Sequence, residues 1–348
     1  MNTLYSDDDK TDEDDENSSK DTAAAALLGE GTYGKVYKGV LSNDQACAVK
    51  EVRLLYDKEF NEKKRHAFQP DSAHKLISFI LAEIYVLKNL KHPNVIQFFG
   101  WKFSPQQLPI DQLCCINDVN DDDDDDKDED TYEDFWNARI YLYFELMSCN
   151  LDDYIDEKGY KNINAKSIFT QICLGLEHVH SRGFFHRDLS CGNILVSKDT
   201  VKIADFGFAN KYVPNKANDL YVTNLWYRAP EIFIGNSYYS QAVDIWALGC
   251  ILHRLYTGLP FIQIEWDSTI SALFAIFQKL GTPTKNSWLD FHSSYQIDPK
   301  IFPNWPLNSY CLVKDNQAVN DVLINHLLVC NPNKRDSIQS VLRRLTLF

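Results

Sequence analysis

The chain has 348 residues, of which 45% are hydrophobic and 24% are charged, and its formal net charge is −14. The length allows two domains, and the apolar content is sufficient for a buried core. No run of eighteen apolar residues is present, the start carries no apolar signal segment, and the nine cysteines contain no Cys-x-x-Cys pair. We therefore expect no secretion, membrane span, zinc site or disulfide framework, and instead reduced thiols in the nucleus or cytoplasm.

The negative charge is concentrated in two segments. Residues 1–20 carry eight acidic side chains against two lysines, and residues 118–134 carry twelve against Lys127 alone, so the remainder has a net charge of about +3. Neither segment has the apolar residues needed to offset chain entropy, so both are predicted to be disordered. The first is a disordered acidic tail. For the second, a solvated spacer and a docking arm for a basic partner are both open.

Several elements can be predicted in chain order from residue 21 onward. Residues 29–34 have the pattern Gly-x-Gly-x-x-Gly, and an apolar strand ends at Lys50. Apolar residues at helical spacing predict an amphipathic helix over 76–90, with Glu83 at the margin of its apolar stripe. A second apolar strand spans 141–147. Each of these motifs is weak by itself, and only their combination carries an argument.

The segment 186–207 has the layout of a phosphoryl-transfer site. Such a site needs a carboxylate that accepts the proton of the attacking hydroxyl, and acceptor oxygens that hold magnesium. Asp188 fits the first role, and Asn193 with Asp205 fits the second. Two short apolar runs within 194–203 flank a polar turn and predict a hairpin, which would bring the magnesium ligands together.

These motifs, in this order, resemble the signature elements of the eukaryotic protein kinases. Three further motifs agree: Ala229-Pro230-Glu231, the helix that starts with Asp244-Ile245-Trp246, and Arg335 at the place of the family's buried arginine. The resemblance implies an α+β fold with two lobes, a small antiparallel β lobe with one key helix and a larger, mainly helical lobe.

The same resemblance implies the domain boundaries. The protein kinase domain is expected over 21–348, with its small lobe at 21–146 and its large lobe at 147–348. The family has shorter connections than this chain at two places. Insertions are therefore predicted at about 54–75, which contains several lysines, and at about 104–138, which contains the acidic segment.

The resemblance also implies ATP and Mg²⁺ as cofactors and assigns a role to each motif. Lys50 and Glu83 form an ion pair that positions the phosphates, Asp188 and Asn193 complete the catalytic set, and Asn193 and Asp205 bind the metal. The backbone of Glu145 and Met147 is expected to bind the adenine edge, with Phe144 as gatekeeper. The remaining nucleotide-binding residues are Leu28, Gly29, Glu30, Gly31, Gly34, Val36, Ala48 and Leu195.

Three stretches resemble the cyclin-dependent kinases and their relatives in particular. These are residues 29–38, the sequence Trp-Tyr-Arg-Ala-Pro-Glu at 226–231, and Leu-Gly-Thr-Pro at 280–283 followed by Trp288. The resemblance implies a serine/threonine kinase whose protein substrates carry Ser-Pro or Thr-Pro sites. A cyclin or another activator protein is an implied partner, although the helix with Glu83 lacks the family's cyclin-contacting sequence.

The chain departs from the family pattern at the catalytic loop and in the activation segment. Serine/threonine kinases carry a lysine two residues after the catalytic aspartate, and here that position is Ser190. The position of the activating phosphothreonine is Asp219. An acid carries part of a phosphate's charge permanently, so Asp219 is predicted to hold the activation segment through Arg187. An exposed loop aspartate without this role is the alternative.

Two other functional classes were weighed. A pseudokinase scaffold, which binds nucleotide or partners without efficient catalysis, is favoured by Ser190 and disfavoured by the retained Lys50, Asp188, Asn193 and Asp205. A nucleic-acid-binding protein is disfavoured because there is no basic patch with interleaved aromatic residues. The sequence therefore predicts an active kinase, with no nucleic-acid or membrane partner.

Overall fold

The computed structural model describes residues 26–31, 34–53, 71–104, 139–220, 224–264, 268–293, 297–306 and 312–345, with side chains in the first helix described from Phe79 onward. The predicted acidic tail and most of both predicted insertions lie outside these residues, so those assignments stay predictions.

The small lobe is built on an antiparallel sheet with five strands. These strands are β1 (Leu27–Gly31), β2 (Gly34–Val40), β3 (Ala46–Arg53), β4 (Phe98–Ser104) and β5 (Arg139–Glu145). Their order across the sheet is β1-β2-β3-β5-β4. Side chains alternate between the two faces of a strand, so Ile140 and Leu142 of β5 share one face and are buried. That face covers the helix that follows β3.

This helix, α1, spans Asp71–Asn89 and begins before the predicted residue 76. The last five residues of the segment predicted as an insertion at 54–75 belong to this helix, and the insertion itself stays a prediction. The periodicity could not show this, since the apolar stripe starts only at Leu76, while the first turn begins with Asp71 and Ser72, residue types common at helix starts. Ile80 and Ile84 pack with Val52 of β3 in the core of the small lobe. The second predicted insertion, at about 104–138, lies between the end of β4 at Ser104 and the start of β5 at Arg139, and it stays a prediction.

Five short strands of the described residues follow the small lobe in the sequence. They are β6 (Cys149–Asn150), β7 (Phe184–Phe185), β8 (Ile194–Ser197), β9 (Thr200–Ile203) and β10 (Asn210–Lys211). β8 and β9 pair in an antiparallel hairpin from Ile194↔Ile203 to Ser197↔Thr200. The predicted hairpin is confirmed. Asn193 precedes β8 and Asp205 follows β9, so both lie at the open end of the hairpin, where Ile194 pairs with Ile203.

The large lobe is mainly helical. Its α-helices are α2 (Leu151–Lys158), α3 (Ala165–Ser181), α4 (Pro230–Phe233), α5 (Ala242–Thr257), α6 (Thr269–Leu280), α7 (Leu289–His292), α8 (Gln317–Val322) and α9 (Ile338–Arg344). α5 is buried on nearly all sides, which places it at the centre of this lobe. The predicted α+β fold, with an antiparallel sheet lobe and a helical lobe, is confirmed. Among the helices described, none has the length and apolar character that crossing a membrane requires.

A buried ion pair joins α4 to the segment just before α9. Arg335 donates from Nη1 to Oε1 of Glu231 at 2.8 Å and from Nη2 to Oε2 at 3.0 Å, and both side chains are fully buried. Its guanidinium also donates to the carbonyls of Val329 and Ala242 and lies over the ring of Trp246. Arg335 is therefore buried, as the resemblance implied, and Glu231 is its partner. A planar five-donor group is needed to make all these contacts at once.

We predict that Arg335→Met lowers the free energy of unfolding by about 3–5 kcal/mol, because it leaves the Glu231 carboxylate buried without its partner. Urea denaturation followed by circular dichroism measures this. Lys334→Met removes the same charge from an exposed neighbouring position and is the matched control. An equal loss of unfolding free energy for both substitutions would show that the buried pair stabilises the protein no more than an exposed charge does.

Candidate active site

Lys50 stands at the centre of a group of three charged side chains. Its Nζ donates to Oε1 and Oε2 of Glu83 at 3.0 and 3.1 Å, and to Oδ1 of Asp205 at 3.0 Å. The register of the sheet sets Lys50 opposite Val36 and Leu142, in the middle of β3. The predicted pair of Lys50 and Glu83 is therefore formed, and it joins the small-lobe sheet to α1.

The burial of Glu83 follows from the helix. Glu83 lies between Ile80 and Ile84 on the inward face of α1 and is 3% exposed. Burial by itself would lower the pKa of Lys50, but the two carboxylates hold it above its ordinary value. Lys50 in turn lowers the pKa of Asp205. Lys50 therefore stays cationic and Asp205 anionic, the charge states that holding phosphates and a cation requires.

A buried carboxylate holds the loop before Asp188. Asp244 of α5 accepts from the backbone N–H of His186 at 2.8 Å and of Arg187 at 2.9 Å, and its Oδ2 lies 2.8 Å from Nε2 of His180. Arg187 has a φ of 69°, a left-handed conformation that is uncommon for a residue with a side chain. The contacts with Asp244 stabilise this strained turn.

The role of Asp244 was missed at the level of sequence. It was recognised only as the start of a helical motif, although an aspartate inside an apolar helix is a signal, because a buried carboxylate needs donors. Burial alone would raise the pKa of Asp244, but the hydrogen bonds with His180 and with the loop backbone lower it. Asp244 is thus an ionised acceptor beneath the loop.

Asp188 and Asn193 are in direct contact. Nδ2 of Asn193 donates to Oδ2 of Asp188 at 2.9 Å and to its backbone carbonyl at 2.8 Å. The 3₁₀ turn Cys191–Asn193 makes this contact possible across five residues. Burial raises the pKa of Asp188, and hydrogen bonds from Asn193 and from the backbone of Asn224 oppose that rise.

The residues predicted to bind magnesium fit that ion. The backbone N–H of Ala204 donates to the carbonyl of Asn193 at 2.9 Å, which holds the residue before Asp205 against Asn193. Because Nδ2 of Asn193 is bound to Asp188, its Oδ1 is the atom left to accept a cation. Mg²⁺ binds through one or two protein oxygens together with phosphate oxygens and water, and Asn193 with Asp205 supplies that number.

Comparison with known proteins agrees with this geometry. The family model described as "Protein kinase domain" matches residues 23–345. The chain is also 33% identical over 327 residues to "Cell division control protein 2 homolog 3" of Trypanosoma brucei brucei, covering 91% of this chain and 88% of that protein.

The chain belongs to the protein kinase family. Within it, the chain is a member of the group related to the cyclin-dependent kinases. Enzymes of this family generally use ATP and Mg²⁺, and the nucleotide site implied by the resemblance lies in the cleft between the two lobes.

The residues predicted to line the kinase cleft can be placed in the fold, and their contact with a nucleotide stays a prediction. Ala48 is paired with Phe144 in the sheet, and Phe144, Met147 and Leu195 of β8 are partly buried against the large apolar core. Leu28, Gly29, Glu30 and Gly31 lie on β1, where Glu30 forms an exposed ion pair with Lys35. A Cβ added to Gly34 would lie 1.9 Å from the carbonyl oxygen of Glu51. Only glycine therefore fits at that position.

The hinge of the kinase contains an ion pair that the sequence did not reveal. Oε1 of Glu145 lies 2.7 Å from Nζ of Lys202 in β9 and accepts from the N–H of Gln97 at 2.6 Å. The N–H of Glu145 donates to the carbonyl of Gln97 at 3.0 Å, so this donor is engaged within the protein. A residue pattern could not predict this ion pair, because Glu145 and Lys202 are distant in the sequence.

Ser190 occupies the position of the kinase lysine. Its backbone is extended, its side chain is largely buried, and its carbonyl accepts from the N–H of Asn193 at 3.1 Å. The short side chain supplies no cation beside Asp188, as the sequence predicted. Lys50 is the cation that contacts this site from the small lobe.

The predicted ion pair between Asp219 and Arg187 is wrong for the structure described. Arg187 instead donates from Nε to the carbonyl of Phe208 at 2.6 Å and from Nη1 to the hydroxyl of Tyr239 at 3.4 Å. That hydroxyl donates to the backbone carbonyl of Asp219 at 2.5 Å. A neutral tyrosine therefore links Arg187 to the main chain at 219, and burial raises the pKa of its hydroxyl, which keeps it protonated. The sequence could not show this because Tyr239 is distant from both residues.

We predict that Asp219→Asn leaves kinase activity within about twofold, because the contact uses the main chain. Tyr239→Phe leaves a buried donor and a carbonyl without a partner, which costs about 1–3 kcal/mol. Activity should then fall about tenfold. Phosphorylation rates and unfolding midpoints measure both effects, with Tyr238→Phe as the exposed control. A larger loss for Asp219→Asn than for Tyr239→Phe would restore the ion-pair hypothesis.

Proposed function

We propose that the chain is an active serine/threonine protein kinase that transfers the γ-phosphoryl group of ATP to protein hydroxyls, with a preference for serine or threonine before proline. The observation that carries this is the joint formation of three contacts: Lys50 with Glu83, Lys50 with Asp205, and Asp188 with Asn193. The proline preference has its support in the resemblance of residues 226–231 to the proline-directed kinases.

Each side chain has a separate task in this proposal. ATP supplies the phosphoryl group, and Mg²⁺ neutralises negative charge on the phosphates. Lys50, held by Glu83, binds phosphate oxygens, while Asp205 and Asn193 hold the cation. Asp188 orients the substrate hydroxyl and accepts its proton, for which an ionised carboxylate is required. The backbone carbonyl of Glu145 and the backbone of Met147 bind the adenine edge.

Ser190 limits how fast this reaction proceeds. Removing one charged or polar contact to a transition state costs on the order of 10²–10³ in rate. A slower kinase is therefore expected, and the rival function, a scaffold that binds nucleotide without transfer, has its support in the same residue. The retention of both magnesium ligands and the catalytic carboxylate favours the enzyme.

Incorporation of labelled phosphate into a Ser-Pro peptide tests the proposal. We expect incorporation by the wild-type chain, assayed alone and with candidate cyclins. Asp188→Asn is expected to lower the rate by about 10²–10⁴, because it removes the proton acceptor. Asp199→Asn changes an exposed aspartate in the turn between β8 and β9 and is the matched control.

The contrary result is equally sharp. A wild-type chain that is stabilised by MgATP against heating, yet incorporates no phosphate alone or with any activator, would identify the scaffold. Incorporation into tyrosine peptides alone would contradict the serine/threonine assignment.

We further propose that an activator protein docks on the outer face of α1. We also propose a role in cell division, because the trypanosome relative is named as a cell division control protein. Leu81 and Tyr85 are 42% and 56% exposed and lie one helical turn apart. Glu83 faces the opposite side, so a protein bound to this face can hold Glu83 in the contact that it makes with Lys50. A cyclin is the activator that the family relationship suggests.

We predict that Leu81→Asp reduces stimulation by an activating cyclin about tenfold or more while basal activity stays unchanged, because a charge would be buried at the interface. Leu174→Asp alters a residue with similar exposure on α3 and is the control. The measurement is the activity as a function of cyclin concentration. Equal loss of stimulation by both substitutions, or none by either, would contradict this docking face.

A further inference from the structure

The chain that follows residue 223 begins with a tight turn built on Asn224. Oδ1 of Asn224 accepts from the N–H of Trp226 at 3.0 Å, and its backbone carbonyl accepts from the N–H of Tyr227 at 3.1 Å. Asparagine favours the first position of such turns because its short side chain accepts from the backbone two residues later. The conformation at 224–227 is therefore set by the side chain of Asn224.

This turn delivers a donor to the catalytic carboxylate. The backbone N–H of Asn224 lies 3.1 Å from Oδ1 of Asp188 and donates to it. The other oxygen, Oδ2, accepts from Nδ2 of Asn193. Both oxygens of Asp188 are thus held by donors, one from its own loop and one from the distant turn. A carboxylate held at both oxygens has a defined orientation, whereas one donor leaves it free to rotate about that contact.

The far end of the turn is tied to the same loop. The hydroxyl of Tyr227 interacts with Cys191, which is fully buried in the 3₁₀ turn that ends at Asn193, and burial raises the pKa of both groups. The turn at 224–227 therefore touches the catalytic loop at two points, Asp188 and Cys191. Its position relative to Asp188 is fixed by contacts that do not involve the small lobe.

We propose that Asn224 is a positioning residue, whose side chain fixes the turn so that its backbone N–H orients the carboxylate of Asp188. The side chain acts through the turn, because the contact with Asp188 is made by the backbone alone. This inference rests on the proposed kinase function. It gives the activation segment a direct connection to the proton acceptor, at the site where Ser190 supplies no cation.

The proposal predicts different effects for two substitutions of Asn224. Serine can replace asparagine in such a turn, because its hydroxyl accepts from the same backbone group, although more weakly. Alanine cannot. Asn224→Ala should therefore lose the orientation of Asp188, and Asn224→Ser should retain much of it, although neither side chain touches Asp188.

Steady-state and single-turnover phosphorylation of a Ser-Pro peptide by the full chain, with its activator where one is required, tests this. We expect Asn224→Ala to lower kcat and the single-turnover rate about tenfold or more, since general base catalysis contributes about 10²–10⁴ and depends on position. KM for ATP should stay within about twofold, because the turn does not contribute to the nucleotide cleft. Asn224→Ser should recover at least half of the lost rate on a logarithmic scale.

The outcomes separate cleanly. Wild-type rates for Asn224→Ala, or an equally slow Asn224→Ser, would overturn the positioning role, as would a raised KM for ATP with unchanged kcat. If Asn224→Ala does not fold, as judged by its unfolding midpoint, Asn224→Gly removes the same acceptor in a residue that turns tolerate, and the same comparison with serine applies. An inactive wild type would instead overturn the proposed function, and phosphate incorporation by the wild type, measured first, identifies that case.

Discussion

The catalytic loop depends on one buried carboxylate. Asp244 lies in a helix surrounded by apolar side chains, where an ionised group is stable only if donors surround it. Those donors are the N–H groups of His186 and Arg187 and the ring of His180. The requirement acts in both directions, because satisfying Asp244 also holds the strained backbone that presents Asp188. The same hydrogen bonds therefore stabilise the large lobe and fix the geometry of the site.

The small lobe adds the cationic half of the site through Lys50. This lysine binds carboxylates from two directions, Glu83 on α1 and Asp205 beyond the hairpin, so it joins the two lobes. Glu145 and Lys202 make a second link at the hinge. In the proposed reaction, Ser190 leaves one cation fewer beside Asp188, while the groups that position the phosphates and the hydroxyl are retained. This is the physical basis for proposing a slow enzyme instead of a scaffold.

The sequence predicted the elements whose function depends on local pattern. The hairpin at 194–203 was found as its local pattern predicted. The pairing of Lys50 with Glu83, which the family resemblance implied, was also found. The start of α1 was placed too late, because polar first turns leave no periodic signal. The ion pair of Asp219 with Arg187 was wrong, because charge complementarity in a sequence does not show which atoms face each other. A tyrosine twenty residues beyond Asp219 occupies the position between them.

The sequence by itself determined the chemistry: which groups can bind phosphate and magnesium, which can accept a proton, and that one cation is replaced by Ser190. These follow from residue type and short spacing, both of which are local properties. Only the tertiary structure decided how Asp188 is oriented, since its two oxygens are held by Asn193 from nearby and by the turn at Asn224 from a distant segment. Hydrogen bonds between distant segments depend on the packing of whole elements, and no linear pattern encodes their geometry.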